Sequence, residues 1–256
     1  MTQPPLRIDD QYQGFPGVAL GGVTGGLLAQ HIGMPAEVIL KRPIPTGTPL
    51  ERSETEEGVA LLIDGDVAAQ ARPGSVEIDV PDPVSWTHAL AASTAYLGHH
   101  VHPYTECFCC GTNRAHGDGL RIFAGPLGTG PLLAAPWTPH RTHAGPDGTL
   151  PLTHLWAAVD CPSIWAVIEA AAPDSANHVV SGRLALRRHA PLRAGRRHVV
   201  VAWPLERQGE TWAAAAAVFT ADGTLTAVAH HTLVVTDWGV PLELGRRTES
   251  RERPRS

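Results

Sequence analysis

One carboxylate stands out by its setting. Asp160 lies in the run Trp156-Ala157-Ala158-Val159-Asp160-Cys161-Pro162, flanked by apolar residues on both sides. Apolar surroundings strip water from a carboxyl group, raise its pKa and make it a competent general base. The other reading is a helix cap that fixes a break before Pro162. A base acting on an acyl carbonyl also needs donors for the developing oxyanion. Gly21-Gly22-Val23-Thr24 offers them. If a helix starts at the glycines, the Gly21 and Gly22 amides carry partial positive charge, and Thr24 adds a hydroxyl. The glycines could equally serve only a tight turn with close helix packing.

Three of the four cysteines crowd into Glu106-Cys107-Phe108-Cys109-Cys110-Gly111. A zinc site needs four ligands, and one Cys-x2-Cys pair supplies two. His102 and His116 would complete a set of irregular spacing, and no second Cys-x2-Cys pair is present. Redox chemistry at such a pair needs a helix N-terminus, whereas Gly111 and Asn113 indicate a turn. The favoured reading is a buried turn without metal. Of the 14 histidines, those at 99, 100, 102, 140 and 143 fall in loops and are read as solvated or structural. His154 and His189 are better placed for chemistry but are not ranked above the rest.

The elements that must position these groups come from pattern. In the first segment, about 10–83, the Gly21–Ile32 stretch reads as a short helix ended by Gly33 and Pro35. Strands are predicted at 37–40, 50–55, 59–63, 67–71 and 75–80, with Asp64-Gly65 as a hairpin turn. A connector, 84–104, carries one short helix near 88–97. The second segment, 105–237, is predicted to have strands at 119–123 and 130–136, a loop at 136–148, and a helix over 150–172 broken at Pro162. Strands at 179–187, 198–205, 211–220 and 225–235 follow, with Asp222-Gly223 turning the last pair. Apolar runs such as Val199–Trp203 and Ala213–Phe219 predict strands buried on both faces. The charged tail 245–256 is expected to be disordered.

Composition sets the outer bounds. The 256 residues are 43% apolar and 18% charged, with 20 basic and 25 acidic side chains. Such a chain buries a real core. Its formal charge of −5 provides no field for a polyanion, so nucleic acid is not an expected partner. No apolar run of about 18 residues occurs, so no membrane span is expected. The N-terminus lacks the pattern of a signal peptide. With no disulfide framework, a cytoplasmic location is the expectation.

The motif Glu106-Cys107-Phe108-Cys109-Cys110-Gly111, with Asn113 and Gly117-Asp118-Gly119-Leu120-Arg121-Ile122-Phe123, resembles the opening of hotdog-fold thioesterase-superfamily proteins. The segment 156–162 resembles their central helix, and Gly21-Gly22 with its helix resembles the same site in a first repeat. The resemblance spans most of 10–240 and implies an α+β double hotdog. In that fold each central helix is wrapped by an antiparallel sheet, and two units pair edge to edge as a pseudo-dimer.

The resemblance further implies an acyl-CoA thioesterase-like enzyme acting between the repeats. Asp160 would be its base or nucleophile, and Gly22 and Thr24 its oxyanion donors. Gly21 and Trp156 would contact substrate, with Arg183 and Arg187 on cofactor-tail phosphates. The arginines have the plainer reading of a charged strand edge. No cofactor is implied, because coenzyme A or a carrier-protein thioester enters as substrate. A homodimer of such chains is a further expectation. Where the family often has His-Gly-Gly, this chain has Leu20-Gly21-Gly22. Two alternatives stand beside hydrolysis. One is a thioester-acting dehydratase, isomerase or cyclase of the same fold. The other is a non-catalytic acyl-thioester binding protein, which Leu20 favours.

Overall fold

The computed structural model describes residues 5–171 and 179–235. The expected tail at 245–256 lies outside them. In chain order the elements are β1 (Leu6–Arg7), α1 (Gly21–Ala29), β2 (Ala36–Leu40), β3 (Pro49–Thr55), β4 (Gly58–Ile63), β5 (Asp66–Pro73) and α2 (Trp86–Thr94). These are followed by β6 (Gly125–Pro126), β7 (Leu133–Trp137), α3 (Leu152–Ala170), β8 (Val179–Arg188), β9 (His198–Gln208), β10 (Thr211–Thr220) and β11 (Leu225–Val235). Among the described residues, no helix is long and apolar enough to cross a membrane.

The strands form one eleven-stranded sheet, ordered β1-β3-β4-β5-β2-β8-β11-β10-β9-β7-β6. Its two halves meet where β2 runs antiparallel to β8, with Val38 opposite Leu184. α1 packs on β2 and β5 of the first half, and α3 packs on β8 to β11 of the second. The two helices also pack against each other. Both Asp-Gly turns form as hairpins. Asp64 and Gly65 both take positive φ, 54° and 84°, as a two-residue turn matching strand twist requires.

The double-sided burial of β9 and β10 has a visible cause. Val200, Ala202, Ala216 and Val218 join the core around the two helices. Val199, Val201, Ala215 and Ala217 face the other way, onto Ala89 and Ala92 of α2. The connector therefore covers the outer sheet face. Residues 75–80 do the same without forming the predicted strand: Val76 lies on Ala185 and Val228. They pack flat across the sheet instead of adding to an edge.

Two further expectations are corrected. No sheet strand forms at 119–123; Leu120 and Ile122 donate instead to the carbonyls of Phe108 and Cys109. Arg121 between them has a φ of 55°, which interrupts extended backbone. The break at Pro162 is also absent, and α3 runs through it. Proline in a helix interior costs about 3 kcal/mol, but α3 buries fourteen of its residues against the sheet and α1. Packing on that scale outweighs one lost hydrogen bond.

α1 is short and glycine-rich because α3 lies against it. A Cβ on Gly22 would stand 2.5 Å from the Trp156 carbonyl oxygen. One on Gly26 would stand 2.4 Å from the Thr153 Cα, and one on Gly25 would meet the Trp156 ring at 2.5 Å. Only glycine at these positions lets the two backbones approach so closely.

Candidate active site between the two helices

Leu20, at the N-cap of α1, has no side chain able to cap it, so the first amides need another partner. Asp160 supplies one from α3: its Oδ2 accepts the Gly22 N–H at 2.6 Å. Asp160 thus caps a helix, as one reading allowed, but the helix is α1 and not its own. Close glycine packing is what brings the carboxylate within reach. Its other oxygen, Oδ1, accepts the Ser181 hydroxyl at 2.8 Å. Ser181 lies on β8, at the seam with β2.

Asp160 is fully buried. Desolvation pushes its pKa up to about 6. The Ser181 and Gly22 hydrogen bonds pull the other way, and the nearby Cys107 adds a smaller upward push. The expected perturbed carboxylate is therefore present, ionised at neutral pH and close to titrating.

His231, fully buried on β11, places Nε2 3.6 Å from Asp160 Oδ1. Burial, with the neighbouring His230, lowers its pKa to about 3. The ring is neutral, so the contact is not an ion pair, and 3.6 Å is too long for a hydrogen bond. Both ring nitrogens are without a hydrogen-bond partner. Neither Ser181 nor His231 was singled out from sequence. His230-His231 in the middle of an apolar strand was the available signal. A serine in a strand carried none.

A cavity of about 460 Å³ opens beside this group. Gly21, Thr24 and Ser181 lie on its wall, with Leu40, Ile44, Ile164, Trp165 and Ile168 as apolar lining. Lys41 and Arg42 also line it, although the Arg42 guanidinium donates to the Ile63 carbonyl and lies 3.8 Å from Asp66. Asp160 itself stands one layer behind, reached through Ser181. The hydroxyl of Thr24 is buried and has no hydrogen-bond partner.

The expected site residues fall into two groups. Gly21, Gly22, Thr24 and Asp160 come together. The Gly22 amide, however, is engaged by the Asp160 carboxylate and is not an open oxyanion donor. Trp156 is fully buried against Gly25 and takes no part in the cavity wall, so its substrate role is corrected to helix packing. Arg183 binds Glu37 across the β2–β8 seam. Arg72 holds the same carboxylate at 2.9 Å, so Arg183 ties the two halves together. Neither Arg183 nor Arg187 lines the cavity. His154 packs against Phe108 and Tyr12, its pKa lowered to about 4 by burial and by His143.

The cysteine turn also differs from its expected surroundings. His116 lies against His140, and the set of His102, Cys107, Cys110 and His116 does not assemble. In its place Cys161 of α3 approaches the turn, with its Sγ 3.6 Å from that of Cys107.

No family model matches the chain, and no curated protein does. Solved structures do. The tesB protein of Mycobacterium avium subsp. paratuberculosis is 14% identical, with a TM-score of 0.54, over 86% of this chain and 88% of that one. A candidate thioesterase from Novosphingobium aromaticivorans is 16% identical, with a TM-score of 0.55, over 92% and 94%. A candidate thioesterase II from Thermobifida fusca is 13% identical, with a TM-score of 0.52, over 90% and 91%. At these identities the likeness establishes architecture. The chain is an α+β protein with the double-hotdog fold, shared along most of its length with these three solved structures.

Proposed function

We propose that the chain hydrolyses an acyl thioester at the junction of its two halves. The carrying observation is the buried Asp160 carboxylate, held by Gly22 from one half and Ser181 from the other, beside a cavity of about 460 Å³. That volume suits a small acyl ligand. In this reading the acyl chain lies along Leu40, Ile164 and Ile168. The carrier, coenzyme A or a carrier-protein arm, extends toward Lys41, whose charge suits its phosphates.

The Ser181 hydroxyl stands between the cavity and Asp160. A water on the cavity side passes its proton to Ser181 Oγ as Ser181 passes its own to Asp160 Oδ1. The hydroxide oxygen bonds to the thioester carbon. The carbonyl oxygen takes up the electron pair and is held by the Gly21 amide and the Thr24 hydroxyl. When the carbonyl re-forms, the C–S bond breaks, the sulphur takes the Ser181 proton, and Ser181 recovers one from Asp160. Products are one carboxylic acid and one thiol. A pKa of about 6 suits a group that must accept and then return a proton near neutral pH.

A second reading is a non-catalytic acyl-thioester binder. It is favoured by Leu20, which offers no donor at the cap of α1, and by the position of Asp160 behind the cavity wall. Free-thiol release from a panel of acyl-CoA substrates separates the two. Hydrolysis predicts release by the wild type and its loss in Asp160→Asn with binding retained. Binding without release by the wild type would leave the binder.

A further inference from the structure

The three buried cysteines beside the cavity are not used by this chemistry. The Sγ atoms of Cys107, Cys110 and Cys161 all lie within 4.8 Å of one another, and Cys107 to Cys161 is 3.6 Å. Three sulphurs at about 2.3 Å from a tetrahedral zinc ion stand about 3.8 Å apart. The cluster is therefore close to that geometry, with no bond formed between any pair.

The turn that carries two of them is tightly wound. Gly111 donates its N–H to the Cys107 carbonyl at 2.9 Å. A Cβ on Gly111 would lie 2.4 Å from the Thr105 carbonyl oxygen and 2.5 Å from that of Cys107, so the tight reversal needs glycine. His102 bonds the Cys110 carbonyl through Nε2 at 3.1 Å. Its Nδ1 accepts the Tyr104 amide at 3.1 Å. Both ring nitrogens are engaged, so His102 orients the turn from outside, as partners of metal ligands do.

We propose that Cys107, Cys110 and Cys161 bind one soft divalent cation of the zinc class, as a three-thiolate site with its fourth position facing the cavity. All three residues line that cavity, so a water or a small donor entering it completes the coordination. Cys109 is equally buried but falls outside the triad. The site joins the turn to α3 across 54 residues of sequence, which adds a stabilising role. The assignment is independent of whether the chain hydrolyses anything.

The test is cobalt titration of the untagged, reduced, full-length protein, with circular dichroism to confirm folding. The expected result is one Co²⁺ per chain, with thiolate-to-cobalt charge-transfer bands and the visible bands of a tetrahedral ion, displaced by Zn²⁺. Cys161→Ala should lose these bands, and Cys109→Ala should keep them. Absence of the bands in folded wild type overturns the proposal. So does their persistence in Cys161→Ala or their loss in Cys109→Ala. If Cys161→Ala does not fold, the wild-type band intensity still counts the thiolates, and a count other than three overturns the assignment.

Discussion

Replacing Asp160 with asparagine should make the protein more stable while removing its proposed activity. Burial holds the carboxyl at about 6 instead of its ordinary 3.8. The folded state therefore favours the protonated form. This contribution is fully present below the unfolded value and is lost as pH rises through about 6. Above both values the ionised carboxylate costs about 3 kcal/mol relative to the protonated one. Asparagine resembles the protonated form: its oxygen can accept the Gly22 N–H, and its amide can face Ser181. Urea unfolding of wild type and variant at about pH 4 and about pH 8 measures the difference, and other titrating groups cancel between the two proteins. The expected gain for Asp160→Asn is near zero at the lower pH and about 3 kcal/mol at the higher one. A gain independent of pH, or a variant less stable at high pH, would refute the claim that desolvation governs this carboxylate.

The same ionisation should appear in kinetics. Thiol release is expected to rise with pH through about 6 and then level off; a flat profile across that range would exclude Asp160 as the base. Ser181→Ala, which removes the hydroxyl between cavity and base, should lower kcat by about 10²-fold with little change in KM, as steady-state assays would show. Lys41→Ala should raise KM for acyl-CoA with kcat held, and the effect should shrink as salt is added. Gly26→Ala forces a Cβ against the Thr153 backbone and should destabilise by about 3 kcal/mol, read from the urea midpoint at constant slope.

Local signals carried much of the fold. The Asp-Gly pair at 64–65 takes positive φ at both residues of a two-residue turn, the pair at 222–223 sits in a four-residue turn with positive φ at Gly223 alone, and these signals marked the hairpins β4–β5 and β10–β11. The continuous apolar runs of β9 and β10 announced covered faces, because an exposed face would have been polar. Asp160 was legible for a related reason, since one carboxylate in an apolar helix has few roles.

What sequence left open depended on contacts between distant segments. Pro162 ordinarily breaks a helix, and only enclosure by the sheet and α1 keeps α3 continuous. The glycines of α1 suggested an oxyanion site, whereas tertiary packing made them the surface that admits α3 and gave the Gly22 amide to Asp160. Ser181 and His231 come beside Asp160, and Cys161 beside Cys107, only when α3 packs onto β8, β11 and the cysteine turn. Spacing along the chain specifies turns and periodic faces, which are local energies. Which side chains share one buried volume is decided when those faces close on one another.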